Sequence, residues 1–171
     1  MKKITSTEIK EVAAELKAEL DRLERLENDI ERVFSEVSKQ KAFSDVFYES
    51  LALKLHNFYT GCERIFQIIA SELNDALPSS YDWHKRLLER MAIQREERPA
   101  VISQETARAL EEYLAFRHVV RNIYGYELEP ERIDPLVARS KKVFEQFHAE
   151  VCQFTNWLRT LASQMEEHEE R

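Results

Sequence analysis

The chain has 171 residues with only 2 glycines and 4 prolines, too few for a hairpin-rich fold, and its leucine, alanine, glutamate, lysine and arginine favour helix. A net charge of −7 argues against broad nonspecific nucleic-acid binding, while leaving room for a local basic site. No apolar run reaches the roughly 18 residues of a membrane span, and Met1-Lys2-Lys3 leads straight into an amphipathic segment, so the expectation is a soluble cytoplasmic protein with no membrane partner.

The first predicted helix runs from Ser6 to Ser38 with Thr5 or Ser6 as its N-cap. Ile9, Leu16, Leu23, Ile30 and Val37 recur every seven residues. Ala13, Leu20 and Phe34 stand four residues after three of them, and Glu27 interrupts that row. The pattern is a coiled-coil-like seam. A second helix is predicted from Ser44 to Ala76, burying Leu55, Phe58, Cys62, Ile65, Ile69 and Leu73. Gly61 in its middle costs about 1 kcal/mol relative to alanine, which close approach of another helix would offset.

Pro78-Ser79-Ser80-Tyr81 breaks the chain. Ser80 or Asp82 then caps a short third helix ending near Ala92, and Gln94 to Val101 reads as a loop. Ser103 caps a fourth helix that ends near Tyr124-Gly125. Tyr126 to Asp134 reads as a loop with a short helical turn at most, with Pro135 in the first turn of the last helix. That helix buries Phe144, Phe147, Val151, Phe154, Leu158, Leu161 and Met165, and the charged tail from Glu166 frays. Four long helices and one short one make an all-α antiparallel bundle, read as one domain over residues 1–171.

The fourth helix carries the densest chemistry. Taking about 100° per residue from Leu110, Tyr113, Phe116, Val120, Ile123 and Tyr124 share one apolar face. Arg117 and Arg121 project from the edge of that face, and His118 and Asn122 lie on the next stripe. Like charges four residues apart repel by a few tenths of a kcal/mol. Either they lie over apolar surface and pair with acids such as Glu63 or Glu111, or they form an anion site with His118 and Asn122. Glu63-Arg64 reads either as an exposed pair or as a source of a carboxylate that orients Arg117 across the bundle.

Elsewhere the signals are weaker. Cys62 and Cys152 lack metal-ligand spacing and read as buried thiols. Glu145-x-x-His148 has the spacing of half a di-iron site, but no second copy exists, so no metal is expected. His56 and His84, beside Tyr59 and Trp83, read as partly buried packing with a polar tip, and His168 as solvated.

Arg117-x4-Asn122-x-Tyr124 resembles the terminal motif of the HEPN superfamily, in particular of HepT-like toxins: an arginine, several residues, a histidine, one residue and a tyrosine. The segments His56 to Phe66 and Tyr81 to Arg90 resemble that type too, and the likeness covers roughly residues 45 to 150, leaving the helix over 6–38 as an addition. The resemblance implies a homodimeric bundle whose paired motifs form a metal-independent ribonuclease site without a cofactor. It also implies a minimal (MntA-like) nucleotidyltransferase antitoxin that attaches AMP to the motif tyrosine. Residue by residue, Arg117 matches the catalytic arginine that holds the scissile phosphate, with Arg121 as a second phosphate contact. Tyr124 matches the modified tyrosine. Asn122 stands where the family has its catalytic histidine, and a neutral amide takes no proton. His118, directly after the arginine, is the candidate base in its place. The alternative reading is a noncatalytic HEPN interaction protein that binds a nucleotide, RNA or a nucleotidyltransferase.

Overall fold

A computed structural model describes residues 4–73, 76–122 and 128–169. Five α-helices account for the fold, and no strand occurs among the described residues. They are α1 (Ser6–Lys39), α2 (Ser44–Glu72), α3 (Trp83–Met91), α4 (Gln104–Asn122) and α5 (Pro130–Glu169), with a 3-10 turn at Lys41–Phe43 between the first two.

Thr5 starts α1 through a capping box: its hydroxyl accepts from the Glu8 amide, and the Glu8 carboxylate accepts from the Thr5 amide. Ile9, Ala13, Leu16, Leu20, Leu23 and Ile30 are buried along one side. The seam weakens toward the C-terminal end, where Phe34 is exposed and Val37 only half-buried. Glu27 sits in the core rather than breaking away from it, accepting a hydrogen bond from Ser140 at 2.8 Å.

Pairings across the helices set their directions. Arg64 with Glu19 and Lys54 with Asp29 run α2 antiparallel to α1. Lys10 with Glu166 and Lys141 with Glu31 do the same for α5. Helices α2 and α5, both opposed to α1, therefore run the same way, with Phe66 on Phe147 between them. Helix α4 runs against α5, as the Tyr113 hydroxyl donating to the Leu136 carbonyl and the Ser103 amide donating to Glu150 require. Gly61 is where α1 comes close: a Cβ there would lie 2.5 Å from Leu23 Cδ2.

Three boundaries differ from expectation. Helix α2 stops at Glu72, short of Ala76. Helix α5 starts at Pro130 rather than Pro135, because Pro130 suits the first helical position, where its missing N–H costs nothing. Ile133 is then wholly buried, and the Tyr48 hydroxyl donates to Asp134 at 2.8 Å, which holds the extra turn in place. The tail is helical through Glu169, tied to α1 by the Lys10–Glu166 pair. Ser103 caps α4 through the Thr106 amide as expected, whereas the Asp82 carboxylate engages Ser80 and Arg86 and does not cap α3.

Candidate functional site

Helices α2, α3 and α4 bring Glu63, His84 and Arg117 together under one end of the bundle. Glu63 turns inward from α2 and is only 3% exposed, while its neighbour Arg64 points to Glu19 on α1. Of the two readings of Glu63-Arg64, the structure selects the one across the bundle. The carboxylate oxygen Oε2 lies 2.5 Å from His84 Nδ1, and Oε1 lies 3.7 Å from Arg117 Nη2. A contact that short needs a proton between nitrogen and oxygen, so His84 Nδ1–H donates to Glu63. The Arg117 guanidinium, 3.4 Å from the same nitrogen, then cannot donate to it. Arg117 is 8% exposed, and its Nε has no hydrogen-bond partner among the described residues.

The Trp83 ring covers His84 at a centroid distance of 3.7 Å. The His118 ring stands edge-on to His84, 6.0 Å away. His118 is held below the ordinary imidazole pKa, first by the water its ring loses to its surroundings, then by His84, Arg117 and Arg121.

These rings open onto a cleft of about 930 Å³. Its walls come from the segment before and within α3 (Tyr81, His84, Lys85) and from α4 (His118, Arg121, Asn122). The two arginines that looked alike in sequence are therefore unlike in the fold. Arg121 is exposed on the cleft wall, whereas Arg117 lies behind it, paired with Glu63. Asn122 is exposed too, and its side-chain amide donates to the His118 carbonyl at 2.7 Å, tying it to its own helix. Tyr124 lies outside the described residues.

His84 is the member of the group that the sequence did not offer. It stands 21 residues from Glu63 and 33 from Arg117, so no helical spacing links it to either. Its place beside a tryptophan marked it only as packing. Among the other candidates, Cys62 is fully buried, and burial pushes its thiol well up. Cys152, expected buried as well, is only partly so and rests 3.7 Å from His148, because it lies on the side of α5 that borders Lys17 and Asp21 of α1 at the edge of the core.

A protein-family model described as HepT-like protein matches residues 50–158. That span holds α2 from its second turn, α3, α4 and most of α5, with every residue of the cleft. The chain belongs to the HepT-like family of the HEPN superfamily. Helix α1 falls outside the match, yet it shares the HepT-like core through Leu16, Leu20 and Leu23. Nothing matches among curated proteins or among solved structures. No described helix is long and apolar enough to cross a membrane.

Proposed function

We propose that this HepT-like chain is the ribonuclease toxin of a toxin–antitoxin pair, cutting single-stranded RNA without a metal ion at a site completed in a homodimer. The observation that carries the reading is one cleft in which His118 and Arg121 stand side by side on α4, with the Arg117 charge directly behind them. Ribonucleolysis needs a group that takes the 2′-hydroxyl proton and cations that hold the phosphate. His118, held below its ordinary pKa, is neutral at pH 7 and free to accept that proton. Arg121 meets the phosphate directly, and Arg117 adds positive potential from within. Tyr81, wholly exposed at the rim, offers a ring face to an unstacked base. In this reading a nucleotidyltransferase antitoxin silences the protein by placing AMP on Tyr124.

The test uses protein shown by mass spectrometry to carry no AMP. It should cut single-stranded RNA in EDTA, and Arg117→Ala and His118→Ala should lose that activity. Cleavage that requires a divalent ion, or that survives Arg117→Ala, overturns the mechanism. A small nucleotidyltransferase encoded next to this gene, and a dimer by light scattering, are expected alongside.

One observation favours the noncatalytic alternative. Asn122, at the family's histidine position, is engaged with its own helix through the His118 carbonyl. If unmodified wild type is inert toward RNA while Asn122→His cuts it, the chain is an interaction module.

A further inference from the structure

We propose that His84 is the general acid of this cleft, giving its proton to the leaving oxygen, and that Glu63 is the residue that positions it. The proposal rests on the ribonuclease reading above and extends it to a second proton-transfer group.

The geometry carries the argument. Glu63 accepts the Nδ1–H of His84 and thereby fixes the plane of the ring, so that a second proton, taken up on Nε2, is the one the ring can give away. Trp83 lies against one face of that ring and holds it from another direction. The nitrogen left over is Nε2, which has no hydrogen-bond partner among the described residues, and His84 lines the cleft while its side chain is only 14% exposed. A carboxylate buried behind an imidazole that lines a cavity and keeps its far nitrogen unbonded is an arrangement for moving protons, more specific than core packing demands. His118 stands 6.0 Å away with the rings at 77°, so one bound phosphodiester reaches both.

The two rings have unlike surroundings. His84 faces Glu63 from α2, Arg117 and His118 from α4, and Asp82 and Lys85 from its own segment. His118 feels His84, Arg117 and Arg121, and more weakly Glu63. One imidazole is bonded to a carboxylate at Nδ1; the other has Arg117 and Arg121 among its neighbours. A pair of titratable groups in opposed environments divides the roles of acid and base.

The step balances. The 2′-oxygen attacks phosphorus and the O2′–P bond forms while the P–O5′ bond breaks. His118 takes the 2′-hydroxyl proton. His84, protonated on both ring nitrogens at the start of the step, gives the Nε2 proton to the departing 5′-oxygen and keeps Nδ1–H on Glu63. The products are a 2′,3′-cyclic phosphate and a 5′-hydroxyl end, and water returns both histidines to their starting states.

The experiment compares two substrates of one sequence, an ordinary RNA and one whose 5′-bridging oxygen is sulfur. A thiolate leaves without being protonated, so it has no use for an acid. His84→Gln should slow cleavage of the ordinary RNA by about a hundredfold or more and leave cleavage of the thio substrate near wild type. His118→Gln should lose both. Glu63→Gln should lower kcat on the ordinary RNA with KM unchanged, and should also be rescued by sulfur. Equal losses on both substrates by a folded His84→Gln, or no loss at all, overturn the assignment of His84 and leave the ribonuclease reading standing. Wild type that cuts neither substrate overturns both. If His84→Gln does not fold, the wild-type pH profile decides. An alkaline fall in rate that is present with oxygen and absent with sulfur supports an acid at this site. A fall of equal size with both substrates overturns it.

Discussion

Glu27 and Glu63 are buried almost equally, at 4% and 3% exposure, yet they play opposite parts. Glu27 lies on the α1–α5 side of the bundle with a neutral partner, the Ser140 hydroxyl, and its Oε2 bonds to nothing among the described residues. Burial pushes its carboxyl above the ordinary range, and the Ser140 hydrogen bond only partly offsets this. Glu63 lies on the α2–α4 side and meets an imidazole and a guanidinium. The difference teaches that burial alone says little about a carboxylate. A neutral hydroxyl partner leaves it a group the fold prefers protonated, whereas an imidazole and a guanidinium give it partners whose side chains it orients.

The largest expected effect is on the Glu63 side. Arg117→Ala removes one cation from a buried carboxylate and should cost about 3–5 kcal/mol of stability, read by chemical unfolding, as well as RNA cleavage. Replacing both partners with leucine should recover part of that loss without restoring cleavage. A double variant less stable than Arg117→Ala would break the contrast between a paired charge and a lone one.

Gly61→Ala probes the close approach on which both regions depend. Its Cβ would meet the buried Leu23 side chain at 2.5 Å, and overpacking of this kind costs about 1–3 kcal/mol. The gain in helix propensity is about 1 kcal/mol. A net loss of about 1 kcal/mol is expected in thermal unfolding, and a gain would mean that Leu23 yields freely.

On the other side the sign reverses. Glu27→Leu should stabilise the protein by about 1 kcal/mol at neutral pH, since it removes a buried polar group whose partner remains satisfied. The Ser140 hydroxyl keeps the Val137 carbonyl as acceptor at 3.0 Å. The folded pKa of Glu27 is raised, so its stabilising contribution is complete below the ordinary value of about 4.5 and is lost as pH rises through the folded pKa. The advantage of Glu27→Leu over wild type should therefore be larger at pH 7 than at pH 4. An advantage that shrinks with rising pH would show that Glu27 is ionised and compensated.

Arg121→Ala should have the smallest effect on folding, within about 0.5 kcal/mol, because the side chain is exposed. It should still slow RNA cleavage about ten- to a hundredfold, the worth of one charge-assisted hydrogen bond to phosphate. Unchanged cleavage would mean that Arg121 makes no phosphate contact.

Sequence periodicity by itself determined the helices. Heptad spacing named the buried side of α1 as far as Ile30, and Gly61 announced the close contact that Leu23 makes. Apolar spacing reports which face of a helix loses water, and that is a local property. The motif on α4 likewise made Arg117, His118, Arg121 and Asn122 legible as one cluster. Tertiary structure decided the rest. Only packing shows that Arg117 goes in while Arg121 stays out, since both lie at nearly the same angle on α4 and differ in which neighbours stand opposite. Only packing carries α5 back to Pro130, through burial of Ile133 and the Tyr48–Asp134 bond. Only packing sets His84 between Glu63 and His118, because partners from three helices are joined by the fold and by no spacing along the chain.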